Sequence, residues 1–262
     1  MTTEALLCGL QTVLQALRGH HLQVEVVWLN ERRSDRRADE VIEMAKAAGV
    51  RLERVSRDRL DQIAGDVHHQ GVVAQCRLPS PRNERDLQVF LQKLNGVPLL
   101  LVLDGVQDPH NLGACLRCAD GAGVHAVILP QDRAVSVTAS VRRVASGAAE
   151  AVPIFRVTNI ARVLQQFQKA GIWLVGASQE ATTTIFEADL SGPLALIMGG
   201  EEKGLRRLTK AHCDALVKIP MLGSIASLNV ATATAVCLYE ALRCRQVRDS
   251  LVVNGGSRAL VP

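Results

Sequence analysis

Two uninterrupted apolar runs, Pro98-Leu-Leu-Leu-Val-Leu-Asp104 and Leu194-Ala-Leu-Ile-Met198, constrain the fold of this chain more than any other feature. Neither alternates with polar residues, so neither suits a sheet with one wet face. Both suit strands covered on both sides in a parallel sheet. Further strands are expected at residues 126–129, 152–156 and 172–176, with helical patterns between them at about 111–121, 137–146 and 160–170. This repeated order indicates an α/β fold with a mostly parallel sheet, in which ligands sit at the carboxyl ends of strands. The strand at 194–198 empties into Gly199-Gly-Glu-Glu-Lys-Gly204, where three glycines let backbone N–H groups approach a ligand. A strand at 217–220 empties into Met221-Leu-Gly-Ser-Ile-Ala-Ser-Leu-Asn229, ahead of a long Ala/Val/Thr helix that Ser227 or Asn229 caps. Either loop alone reads equally well as a plain turn before a helix. Two such loops in succession, feeding one apolar helix, point to a binding site.

The first 78 residues read as a separate small α/β domain. An amphipathic helix is expected over 3–18, from the spacing of Leu6, Leu7, Leu10, Val13, Leu14 and Leu17. A strand at 24–29 follows, then a helix over 35–48 capped by Ser34 and stopped by Gly49, a strand at 51–55, a short helix at 57–63 and a strand at 72–78. Residues 79–96 form a linker stiffened by Pro79 and Pro81, with a helix near 86–94. Residues 97–245 make up the second domain. The tail, 246–262, shows no helical period and is expected to be loosely ordered.

Composition removes several classes of function. Aromatic residues make up 3% of the chain, too few for base-stacking platforms. No run approaches the roughly 18 apolar residues of a membrane span. Met1-Thr-Thr-Glu-Ala-Leu-Leu-Cys8 lacks the basic start of a secretory signal, so a cytoplasmic protein is expected. Seven scattered cysteines fit reduced thiols. Cys115-x-x-Cys118 lies in a helical pattern with no second pair, so no metal is expected. There is no G-x-x-x-x-G-K-[ST], no G-x-G-x-x-G after a strand, no G-x-S-x-G and no H-E-x-x-H. The net charge of +4 permits nucleic acid without requiring it. Three basic clusters could hold phosphates: Arg32, Arg33, Arg36 and Arg37; Arg142 and Arg143; and Lys203, Arg206, Arg207 and Lys210. Most such runs are solvated helix faces. After the strand at 98–104, Asn111 stands where a helix cap belongs. Arg117 follows in the small-residue helix Leu112-Gly-Ala-Cys-Leu-Arg-Cys-Ala, where an arginine needs an anionic partner.

Three segments, Asp108-Pro-His-Asn-Leu-Gly-Ala-Cys-Leu-Arg117, Ile197-Met-Gly-Gly-Glu-Glu-Lys-Gly204 and Ile219-Pro-Met-Leu-Gly-Ser-Ile-Ala-Ser-Leu-Asn-Val230, resemble in order and spacing the three motifs of the SpoU/TrmH (SPOUT) family of RNA 2′-O-ribose methyltransferases. The similarity spans residues 5–243. It includes His68-His-Gln-Gly-Val-Val-Ala74 and is greatest to the branch that modifies a guanosine ribose in 23S ribosomal RNA. The resemblance implies a C-terminal domain with a deep trefoil knot, a feature rare enough that the pattern of strands and helices does not suggest it. It also implies S-adenosylmethionine held by Gly199, Gly200, Gly204, Ile219, Met221, Ser227 and Leu228, a homodimer, and an N-terminal L30e-like module that recruits RNA.

The same resemblance assigns catalysis to Arg117, helped by Asn111, Glu201, Ser227 and Asn229. The family's arginine is thought to assist deprotonation of the ribose hydroxyl. A guanidinium stays protonated in proteins, so stabilising the developing alkoxide is the physically easier role. Two other functions fit the same residues: the same chemistry on tRNA, and an RNA-binding assembly factor without catalysis.

Overall fold

The computed structural model describes residues 3–18, 23–78, 82–201 and 203–255. The prolines expected to stiffen the linker, Pro79 and Pro81, lie outside the described residues, as do Glu202 and residues 256–262.

The chain starts with β1 (Thr3–Cys8), α1 (Leu10–Arg18), β2 (Gln23–Asn30), α2 (Arg36–Ala47), β3 (Arg51–Val55), α3 (Arg57–Ala64) and β4 (Val72–Leu78). These strands form a mixed sheet in the order β1-β4-β2-β3, in which only β2 and β3 are parallel. Helices α1 and α2 pack on it through Leu10, Val13, Leu14, Leu17, Ala38, Val41 and Ala45.

Two expectations change here. Residues 3–8 are a strand, not the first turns of a helix. Gly9 turns the chain with φ +99, and six residues of β1 pair with β4, satisfying an edge that would otherwise be open. Burial then follows the sheet, with Leu7 inside and neighbouring Leu6 40% exposed. The helical spacing is genuine only from Leu10 onward. The cap of α2 is Asp35 rather than Ser34: the Asp35 carboxylate accepts from the Arg37 and Ala38 N–H groups. The neighbouring Arg33, with those N–H groups, holds this carboxyl below its ordinary range.

The second sheet is parallel throughout. It is built from β5 (Leu99–Asp104), β6 (Ala126–Pro130), β7 (Ile154–Val157), β8 (Trp173–Ala177), β9 (Thr183–Thr184), β10 (Leu194–Gly199) and β11 (Ala215–Lys218), in the order β7-β6-β5-β10-β8-β11-β9. Every residue of β5 and β6 is buried, the burial their apolar composition requires. Helices α4 (Glu84–Lys93) and α8 (Ile160–Lys169) cover one face, with Leu87, Val163, Leu164 and Phe167 packed on Leu100, Ile128, Phe155 and Ala195.

The remaining helices are α5 (Pro109–Gly121), α6 (Ala139–Ala145), α7 (Ala148–Ala151), α9 (Arg207–His212) and α10 (Val230–Gly255). Helix α10 continues ten residues past Arg245, into the stretch expected to be loose. No glycine or proline interrupts residues 246–253, and once a helix is nucleated each added residue gains a hydrogen bond. Arg245 is tied to the Val97, Pro98 and Gly192 carbonyls.

The chain groups into two compact units that do not follow its order. One contains residues 1–82, 108–117 and 135–153; the other contains 83–107, 118–134 and 154–262.

Candidate active site

Because β8, β10 and β11 are parallel neighbours, their carboxyl ends open on one edge of the sheet. Beyond β10 the chain folds back tightly. Gly200 and Gly204 form an isolated antiparallel bridge, and Gly204 N–H donates to the Gly200 carbonyl at 3.1 Å. A Cβ on Gly199 would lie 2.0 Å from the Gly204 carbonyl carbon, and one on Gly200 would lie 2.5 Å from the Gly105 carbonyl oxygen. These two glycines therefore exist so that three stretches of backbone can touch. That is a different reason from the ligand access expected of them, although the close packing also shapes the loop. Gly204 has open space around it and is required for its φ of +61.

Beyond β11, Asn229 proves to be the cap of α10. Its Oδ1 accepts from Ala231 N–H and its carbonyl accepts from Ala233 N–H, both at 2.9 Å. The Glu201 carboxylate reaches the Gln107 N–H in the loop after β5, at 3.5 Å.

The loops after β10 and β11 border an open cavity of about 540 Å³. All seven residues expected to hold the cofactor line it: Gly199, Gly200, Gly204, Ile219, Met221, Ser227 and Leu228. Glu201 and Asn229 line it as well. Sequence reasoning missed the contribution of Ser178, Gln179 and Glu180 after β8. Only the strand order, which seats β8 beside β10, brings that loop to the site. Lys210 pairs with Glu180 and holds its carboxyl below the ordinary range.

Asn111 and Arg117 are not among the residues that line the cavity. Both sit on α5, in the stretch 108–117 that belongs to the other compact unit. Pro109 occupies the first helical position, which needs no N–H donor. Asp108 does the capping expected of Asn111: its Oδ1 accepts from His110 N–H at 2.8 Å and its carbonyl from Leu112 N–H at 3.0 Å. Asn111 is half-buried in the first turn. Arg117 is exposed and has no ion pair among the described residues.

The basic clusters divide. Arg206 turns inward: its Nε lies 3.2 Å from Asp104 Oδ1, near enough for an ion pair though not aligned as a hydrogen bond. The other oxygen of this buried carboxylate accepts from Thr209 Oγ1 at 2.5 Å. Arg206→Gln removes the charge facing a buried carboxylate and is expected to cost about 2–3 kcal/mol in a urea titration, less than a fully buried pair because Arg206 is 39% exposed. An unchanged midpoint would show that Thr209 alone satisfies Asp104. Arg142 is likewise committed, to Glu150, while Arg143, Lys203 and Arg207 stay exposed.

In the N-terminal domain Arg32, Arg36 and Arg37 are exposed, and Arg33 is bound to Asp35 at 2.6 Å and to the Gln70 carbonyl. Arg32, Arg33 and Arg57 border an open hollow together with His68 and His69. His69 is a buried structural histidine. Its Nδ1 accepts from Gly71 N–H at 3.0 Å, which leaves Nε2 to donate to Asp61 at 2.8 Å.

Residues 98–239 match the SpoU rRNA Methylase family, and residues 6–82 match the family described as RNA 2′-O ribose methyltransferase substrate binding. The chain belongs to the SpoU rRNA methylase family. Its SpoU relatives include the 23S rRNA (guanosine-2′-O-)-methyltransferase RlmB of Ralstonia nicotianae, 49% identical over 94% of this chain and 98% of that protein. The RlmB of Pseudomonas aeruginosa is 51% identical over 90% and 95%. Among solved structures, the SpoU methyltransferase AviRb of Streptomyces viridochromogenes, in complex with AdoMet, superposes with a TM-score of 0.76 at 26% identity, covering 93% of this chain and 91% of that one. The parallel-sheet fold is thus that of the SpoU methyltransferases.

Proposed function

We propose that this protein transfers a methyl group from S-adenosylmethionine to the 2′-hydroxyl of a guanosine ribose in 23S ribosomal RNA. The observation that carries the reading is the convergence of nine motif residues from two loops, on the ends of the parallel strands β10 and β11 that flank β8, around one cavity. The RlmB relatives, matched over nearly their whole length, support the rRNA substrate.

The cavity suits the cofactor. Its volume lies in the range of about 300–1,000 Å³ usual for small-molecule sites. Met198, Leu205, Ile219, Met221 and Leu228 give it an apolar wall, and Glu180, Glu201, Lys203 and Lys218 place both signs of charge at its edge, as a zwitterionic sulfonium needs. When bound, the cofactor supplies a methyl group on an already activated leaving group. The protein must then orient the hydroxyl and dispose of one proton. In this reading Asn229 and Ser227 hold the amino-acid end of the cofactor, Glu201 and Asn111 orient the ribose or its phosphate, and Arg117 stabilises the oxyanion that forms at the 2′-oxygen.

Residues 1–78 serve as the RNA-recruiting domain and 97–245 as the catalytic domain, a division supported by the separate family matches. The enzyme acts as a homodimer in the cytoplasm. Exposed Leu222, Ile225 and Tyr239, beside the cavity loops and on α10, support a partner subunit that covers them. Among the described residues no helix is long and apolar enough to cross a membrane. The trefoil knot belongs to the same reading. It is supported by β10, which follows β8 in the chain, lying between β5 and β8 in the sheet, and by α10 returning from β11 to pack on β10.

The test is transfer of labelled methyl from S-adenosylmethionine to unmodified 23S rRNA and, in parallel, to tRNA, with the modified ribose located by its resistance to alkaline cleavage. A single resistant guanosine in 23S rRNA is expected. Transfer confined to tRNA, or cofactor binding without transfer to any RNA, would overturn the assignment.

A further inference from the structure

Residues 135–153 fold in the same compact unit as residues 1–82 and 108–117. Within that unit α6 packs on β1 and α7 on α1. The turn that joins them, Ser146-Gly147, has both residues in the left-handed region, with φ +52 and +99. On one side the turn is pressed by α1: a Cβ on Gly147 would lie 2.5 Å from Gln15 Cγ and 3.4 Å from the Gln11 carbonyl oxygen. Three residues earlier, Val144 is pressed against α5: a Cβ on Gly113 would lie 2.6 Å from Val144 Cβ and 2.9 Å from the Val141 carbonyl oxygen. Gly113 stands two residues after Asn111 and four before Arg117. Helix α1, residues 144–147 and helix α5 are therefore stacked without room for one methyl group.

An ion pair brackets this segment. Arg142 Nη1 donates to Glu150 Oε1, and the two side chains are only 13% and 1% exposed. Glu150 Oε2 is buried with no hydrogen-bond partner among the described residues. Burial pushes the Glu150 carboxyl above its ordinary range, against the pull of Arg142. Such a pair is a poor source of stability, because apolar residues of similar volume often serve as well or better. What it offers is a defined geometry, with the two buried side chains pointing at each other.

We infer that Arg142 and Glu150 are positioning residues for methyl transfer: their pair fixes residues 144–147 between α1 and α5 and so sets the direction in which Arg117 projects. The inference rests on the assignment of Arg117 to the reaction. It makes the N-terminal domain more than a tether, because the helix that carries Arg117 is seated, through this segment, on the first helix of that domain.

Two variants test it. Glu150→Gln keeps the shape and removes the charge. The double variant Arg142→Met with Glu150→Leu replaces the pair with apolar side chains and guards against a simple loss of folding. For each, kcat and KM on 23S rRNA, cofactor affinity by calorimetry and the thermal midpoint are measured, with Arg117→Ala alongside. Both variants are expected to lose roughly 10- to 100-fold in kcat, the effect of a small misplacement at the reacting centre. Cofactor affinity is expected to stay within about twofold, because none of these residues lines the cofactor cavity. The double variant is expected to melt no lower than the parent, and Arg142→Lys to recover part of kcat.

Wild-type kcat in the double variant overturns the inference, since the pair would then act through stability alone. Parallel losses of kcat, cofactor affinity and melting temperature in both variants overturn it as well. If Arg117→Ala is inactive while Glu150→Gln and the double variant keep full kcat, the positioning role fails and the function stands. If Arg117→Ala itself retains activity, the assignment beneath the inference fails instead.

Discussion

Arg117→Ala is expected to slow methyl transfer by roughly 10²- to 10³-fold, the usual loss when one preorganised donor to a developing oxyanion is removed. Arg117 stands on the outer side of α5 and has no ion pair among the described residues, so its removal opens no core cavity and strands no buried charge. The thermal midpoint should therefore hardly move, as for other surface substitutions. Cofactor affinity should also hold, because Arg117 does not line the cavity of Gly199, Met221 and Leu228. Arg117→Lys separates two roles. If charge alone matters, lysine restores most of the rate; if the planar fork aligns a phosphate and the ribose oxygen together, it restores little. Initial rates at saturating cofactor, read beside calorimetric binding, decide the matter. A variant that still methylates at the parental rate would reduce Arg117 to a surface residue.

Gly199→Ala is expected to weaken S-adenosylmethionine binding by about 10²-fold, and the cause is space rather than backbone conformation. The new methyl would stand 2.0 Å from the Gly204 carbonyl carbon and 2.3 Å from the Leu205 nitrogen, both main-chain atoms that no rotamer change can move. The loop must open at its Gly200–Gly204 bridge, and overpacking of this kind costs about 1–3 kcal/mol, the upper end of which corresponds to that loss of affinity. Gly204→Ala is the informative contrast. Nothing lies within 4 Å of its position, so only the positive φ opposes it and a penalty of about 1–2 kcal/mol is expected. Titration calorimetry with the cofactor should rank the parent first, then Gly204→Ala, then Gly199→Ala. Equal affinity for the parent and Gly199→Ala would mean that the loop is free to rearrange.

These predictions draw unequally on sequence and structure. The motif that ends in Gly204 was visible as a glycine-rich loop after an apolar strand, yet the reason for two of its glycines was not. Only the fold shows Gly199 lying under Gly204 and Gly200 under Gly105. The same holds for Arg206, which reads as one member of a basic run and in fact faces Asp104, a residue 102 positions earlier. Asp104 itself reads as the polar end of a strand. Its burial and its bond to Thr209 depend on where α9 comes to rest.

By itself the sequence determined what depends on neighbours along the chain. The apolar runs at 98–104 and 194–198 read as buried parallel strands, Asn229 could cap the helix that follows it, and the three motifs carried the family. The tertiary structure decided whatever depends on which segments meet. It turned residues 3–8 from helix to strand because β4 offered an edge, it brought the loop after β8 to the cavity because β8 pairs with β10, and it placed α5 against Val144. The physical reason is common to all three. Local propensities differ by less than about 1 kcal/mol per residue, while pairing an open strand edge or filling a close-packed gap is worth several times that.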